Sequence, residues 1–145
     1  MDLVSARLRT AGATEREQYE TLLTVFTATP YVWGGSSPGG CDCSGSVCCT
    51  LNAVYGTDIR VTADMLFRTY FVRGTDTGDG LNALFFLTAP GKAVHVAGCI
   101  GGGYYMNVSS REPARCGMVR SYRELELMYR GLRLAERSLD TEAWR

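Results

Sequence analysis

The 145-residue chain has a single histidine, His95, and no apolar run that approaches the ~20 residues a bilayer-spanning helix needs. Neither charge is in excess, because 15 Lys and Arg balance 15 Asp and Glu. A nucleic-acid binder needs a basic footprint, so the balance argues against nucleic acid as a partner. Arginines do gather from Arg111 to Arg137, but Glu112, Glu124, Glu126 and Glu136 are interleaved with them. That mixture predicts a solvated face rather than a polyanion site. The opening residues, MDLVSARLRTAGATERE, lack the basic start and apolar stretch of an export signal. The expectation is a chain made in a reducing cytosol, with its six cysteines as thiols. No repeat, low-complexity tract or linker interrupts it, so one domain over 1–145 is expected.

Cysteine and glycine are concentrated instead. TPYVWGGSSPGGCDCSGSVCC, from Thr29 to Cys49, holds four cysteines and five glycines. Helical periods flank it. Thr14 and Glu17 form a capping box before a stripe of Tyr19, Leu22, Leu23 and Phe26. From Ser44 the residues Val47, Cys48, Leu51, Val54 and Tyr55 share a face, and Gly56 is a natural stop. A shorter helix is expected over about 62–70. Extended chain follows: Leu84–Leu87 reads as a buried strand, and Ala93–Ile100 and Tyr104–Val108 flank a glycine turn. Ser121 and Glu124 open another helix, which Gly131 ends; Leu132 and Leu134 then suit a strand or a continued helix. Helices first and antiparallel strands afterwards predict an α+β fold.

The cysteine-rich stretch has three readings. Structural zinc sites recur as C-x2-4-C pairs, whereas here the spacing is C-x-C followed by adjacent Cys48 and Cys49. A disulfide framework is unneeded in a chain of this length without an export signal. The third reading concerns Cys43 alone, where a glycine-rich loop meets a helix start. Unpaired N–H groups and the helix dipole favour a thiolate there. His95 is the sole imidazole available as its base. Asn107, 12 residues on, is the candidate to orient that ring. Asn107 shares a face with His95 only if the hairpin loop spans Gly101–Gly103 or the ladder carries a bulge.

PYVWGGSSPGGCDCSG resembles the PYxWGGxxPxGFDCSG signature of NlpC/P60 cell-wall peptidases. HVAGCIGGGYYMNVSS is similar to their HVGIYIGNGxxIHASS, and LNALFFL to their GDLVFF strand. The three blocks span roughly 29–110. The resemblance implies a papain-like fold in which N-terminal helices and a cysteine-bearing helix pack on a central antiparallel β-sheet. It implies hydrolysis of peptidoglycan stem peptides, typically between D-γ-glutamyl and a diamino acid, by a Cys-His-Asn mechanism without metal or cofactor. Cys43 matches the nucleophile, His95 the base and Asn107 the third catalytic position. Tyr31 matches a tyrosine on the oxyanion side. Asp42 and Ser44 match positions that line the pocket for a free N-terminal L-Ala, Asp42 pairing its ammonium; capping the helix is the other role open to Asp42. Trp33 is either a core or loop anchor or a groove wall. Cys41, Val61 and Ala83 depart from the common Phe, Arg and Asp.

The alternatives are another Cys-His amidase or acyltransferase on the same fold, or a catalytically silent wall-binding module. The expected partner is a stem peptide or muropeptide. A bacterial or prophage origin is expected; without an export signal, either a phage tail or lysis system, a secretion system or a partner carries the enzyme to the wall, or it trims muropeptides in the cytosol.

Overall fold

Side-chain oxygens open the helices. The computed structural model describes residues 2–75 and 78–145. Asp2 accepts the Ser5 N–H and opens α1 (Leu3–Arg9), a helix without a sequence expectation. Thr14 accepts the Glu17 N–H and opens α2 (Glu15–Leu23), which ends in a 3-10 turn at Phe26. Two short strands, β1 (Ser36–Ser37) and β2 (Gly40–Cys41), form a hairpin just before α3 (Cys43–Tyr55). Gly56, in the left-handed region at φ 67°, stops α3 as expected. The helix expected over 62–70 splits into α4 (Ala63–Met65) and a π turn, Leu66–Tyr70. Among the described residues no helix is long and apolar enough to cross a membrane.

The rest is a sheet with two helices: β3 (Asn82–Leu87), β4 (Ala93–Gly101), β5 (Tyr104–Val108), β6 (Gly117–Ser121), α5 (Tyr122–Met128), β7 (Arg133–Ser138) and α6 (Thr141–Trp144). The strand order is β6-β5-β4-β3-β7, antiparallel throughout. Ser121 and Glu124 complete the reciprocal capping box of α5. Gly131, at φ 91°, ends the helical stretch, so the Leu132–Leu134 alternation resolves as the edge strand β7. The other edge strand, β6, has little apolar content and was not foreseen.

One face of the sheet presents Ala83, Phe85, Leu87, Val96 and Met106 to the buried stripes of α2 and α3. The opposite face presents Leu84, Phe86, Ala97, Cys99 and Tyr105 to Leu125 and Tyr129. Covering on both sides is why β3 reads as an unbroken apolar run rather than an alternating one.

Two bulges interrupt β4. Phe86 pairs with His95 but Leu87 pairs with Ala93, so Val94 is the extra residue. Gly101 pairs with Tyr104 across a two-residue Gly102-Gly103 turn, yet Cys99 pairs with Tyr105, so Ile100 is extra. All three glycines have positive φ, 93°, 64° and 80°, which the turn and bulge require. The second bulge restores the parity that the two-residue turn would otherwise have broken. Asn107 therefore shares a face with His95.

Candidate active site

The loop before α3 is tied down by backbone bonds. Tyr31 N–H donates to Arg115 O at 2.9 Å, Val32 N–H to Cys41 O at 2.9 Å, and Cys41 N–H to Pro30 O at 3.1 Å. A side chain at Gly45 would collide with the Gly35 carbonyl, so only glycine lets the loop lie across the first turn of the helix. Cys43 is thereby the first residue of α3, half-buried. Its thiol differs from the sequence expectation of a stabilised thiolate. Burial pushes it up to about 11, and the N–H groups of Val96 and Ser44, which favour the anion, offset burial only in part. The resting group is a thiol. Cys41 and Cys48 are fully buried, all six cysteines are free, and among the described residues no three of His, Cys, Asp and Glu gather as a metal site.

His95 is 8% exposed. Its ring stacks on Tyr129, with centroids 4.7 Å apart and planes at 17°, and lies 4.8 Å from Phe86. Its Nε2 meets Asn107 Oδ1 at 2.7 Å. Burial pushes His95 down to about 4; the Asn107 bond and the Glu112 charge oppose this, and Arg111 adds to it. An unfolded chain takes up this proton near the ordinary ~6.5. His95 stabilisation is therefore complete above that pH and is lost as pH falls from there toward 4, where only the unfolded state binds the proton. The urea midpoint of the wild type should fall more between pH 7 and 4.5 than that of His95→Gln. Equal falls would show that His95 charges freely in the folded protein.

Asp42 caps α3. Its Oδ1 accepts the Gly45 N–H at 2.8 Å and pairs with Arg60 Nη2 at 2.7 Å, while Oδ2 accepts the Gly34 N–H at 2.9 Å. Ser44 Oγ donates to Asp42 Oδ1 at 3.3 Å and accepts from Arg60 Nη1 at 3.0 Å. The carboxylate that the sequence reading assigns to a substrate ammonium is thus already capped and neutralised inside the protein. Arg60, one position before Val61, brings a guanidinium into the cleft.

A cleft of about 890 Å³ brings Cys43, His95, Tyr31, Asp42 and Ser44 together. Trp33 stands at its edge, 86% exposed, so it is not a core anchor. Asn107 lies behind His95, fully buried. Sequence reasoning missed Arg60, Lys92, Arg111 and Tyr129, which also line the cleft. Their type and spacing resemble those of surface residues, and tertiary packing alone brings them in. Glu112 was placed on a solvated face and is instead 1% exposed, paired with Arg120 at 2.6 Å.

A cysteine opening a helix that packs on the histidine strand of an antiparallel sheet defines a papain-like α+β domain. The chain belongs to the NlpC/P60 family, whose sequence model matches residues 28–129. Protein P54 of Enterococcus faecium is 35% identical over 101 residues, which cover 67% of this chain and 19% of that protein. The chain thus spans about a fifth of the length of that curated relative. The crystal structure of the NlpC/p60 domain of the peptidoglycan hydrolase SagA is 28% identical, with a TM-score of 0.59, over 83% of this chain and 96% of that one. NlpC2 from Trichomonas vaginalis shares the fold at a TM-score of 0.66 and 21% identity, over 88% of this chain and 48% of its own.

Proposed function

We propose that the protein is a cysteine peptidase that hydrolyses peptidoglycan stem peptides at the bond between D-γ-glutamyl and a diamino acid. The observation that carries this reading is Cys43 in one cleft with a histidine whose far nitrogen is held by Asn107. With Nε2 engaged, Nδ1 is the nitrogen left for the thiol. Both partners rest neutral, so His95 Nδ1 takes the Cys43 proton as sulfur attacks the carbonyl carbon. His95 then gives that proton to the leaving amine as the C–N bond breaks. Water hydrolyses the thioester by the same route in reverse, its proton passing through His95 back to sulfur. Tyr31, which lines the same cleft as Cys43, takes the oxyanion side in this reading.

Charge supports the substrate class. The two cleft acids, Asp42 and Asp64, are paired with Arg60 and Arg68. Among the described residues no carboxylate pairs with Lys92 or Arg111, which leaves the cleft net positive toward an anionic peptide. The SagA domain, a peptidoglycan hydrolase by its description, supports the same reading. Mass spectrometry of L-Ala-D-γ-Glu-diamino acid peptides incubated with the protein is expected to show release of the L-Ala-D-Glu dipeptide. Cleavage of simple amides or esters with these peptides left intact would favour an amidase or acyltransferase, and no turnover of either a binding module.

A further inference from the structure

Beyond Asn107 the hydrogen-bond chain continues inward. Asn107 Nδ2 donates to Glu112 Oε2 at 2.7 Å. Arg120 on β6 donates to Glu112 through Nη2 at 2.6 Å and through Nε at 3.1 and 3.2 Å. Asn107 is fully buried and Glu112 is 1% exposed, so water does not compete for these bonds.

We propose that Glu112 is a positioning residue that fixes the orientation of the Asn107 amide and, through it, which nitrogen of His95 carries the proton. An ionised carboxylate only accepts hydrogen bonds, and Arg120 only donates them. Asn107 must therefore turn its NH2 to Glu112 and its oxygen to His95. His95 must answer with an N–H at Nε2, which leaves the Nδ1 lone pair for the thiol proton. The other neighbours do not set this direction so strongly. Tyr129 hydroxyl, 2.7 Å from Ser109 Oγ and 3.5 Å from Asn107 Oδ1, can donate or accept. Met128 sulfur, 3.7 Å from Asn107 Nδ2, is a weak acceptor.

Polarity makes the inference testable. In Glu112→Gln the donors of Arg120 hold the new amide oxygen, so its NH2 faces Asn107. Asn107 then flips, offers its own NH2 to His95 and drives the ring proton to Nδ1. Adding Asn107→Asp restores an acceptor-only group between two donors, and the relay regains its direction with the total charge unchanged. Because the chain has one histidine, 15N-histidine labelling reads the tautomer without assignment. It is read in a Cys43→Ala background at pH 8, where no thiol competes for the ring.

The expected result is Nε2–H in that background, Nδ1–H when Glu112→Gln is added, and Nε2–H again with Asn107→Asp. With Cys43 intact, Glu112→Gln should lower kcat by up to about 10⁴-fold at unchanged KM, as a wrong tautomer does, and Asn107→Asp should recover most of it. The turnover arm rests on the peptidase reading, whereas the tautomer arm does not, so failure of one is distinct from failure of the other. Nδ1–H in the Cys43→Ala protein overturns the inference even if Glu112→Gln does not fold. A Glu112→Gln protein that keeps Nε2–H and full turnover while melting lower also overturns it, leaving Glu112 as a tether between β5 and β6.

Discussion

Cys43→Ala is expected to fold as the wild type does and to cleave no stem peptide. The side chain lost is small and half-buried, so stability should change by less than ~1 kcal/mol, while the bond-forming atom is gone. Cys48→Ala should do the reverse. Its sulfur is fully buried in the core beneath α3, so a cavity forms and the melting temperature drops, with turnover kept in the protein that remains folded. His95→Ala should lose nearly as much activity as Cys43→Ala, because no other imidazole exists to take the proton. Asn107→Ala should lose less, since no proton passes through it. Circular dichroism and single-turnover rates on a defined peptide separate these outcomes. Turnover retained by Cys43→Ala would sink the nucleophile assignment.

Asp42→Asn carries the second large effect. The carboxylate serves two backbone N–H groups, Ser44 and Arg60, and its side chain is only 10% exposed. An amide presents one acceptor oxygen where two are used, and it leaves Arg60 without its counter-charge. Arg60 is itself 34% exposed, so water and salt screen part of the loss. A cost of about 1.5–3 kcal/mol is expected for hydrogen bonds to a charged group, or a melting temperature lower by roughly 3–12 °C at this chain length. The loop that positions Cys43 loosens with it, so kcat/KM should fall alike on a free-amine stem peptide and on its N-acetylated form. A loss confined to the free-amine peptide would instead return Asp42 to the ammonium pocket implied by its sequence position. Neither result depends on which diamino acid the substrate carries.

Much of the site was legible in order along the chain because its cues are local. A glycine-rich loop ending in Asp-Cys-Ser-Gly announces a capped helix start, and the stripe from Val47 to Val54 announces its buried face. The single histidine left no rival base, and the 12-residue step to Asn107 already required a bulge or a longer loop. The caps at Thr14 and Ser121 marked where α2 and α5 begin, whereas both helices end earlier than their apolar stripes suggested. Such features survive in sequence because caps, turns and periodicity act over four residues or fewer.

What tertiary structure decided involves long separations or burial. Glu112 and Arg120 look like two more charges in a solvated run until β5 and β6 close over them. Arg60 lies 18 residues from Asp42, and no local pattern announces their pairing. The bulge at Val94 has no sequence mark at all, because a non-glycine bulge is a property of the ladder and not of the residue. The charge state of Cys43 and His95 was decided in the same way. A helix N-terminus favours a thiolate, but only packing fixes how much water is removed from Cys43 and His95, and here desolvation outweighs the dipole and leaves both neutral. Sequence by itself determined the candidate groups Cys43, His95 and Asn107 and their order; their orientation and protonation came from the sheet, since both depend on neighbours distant in the chain.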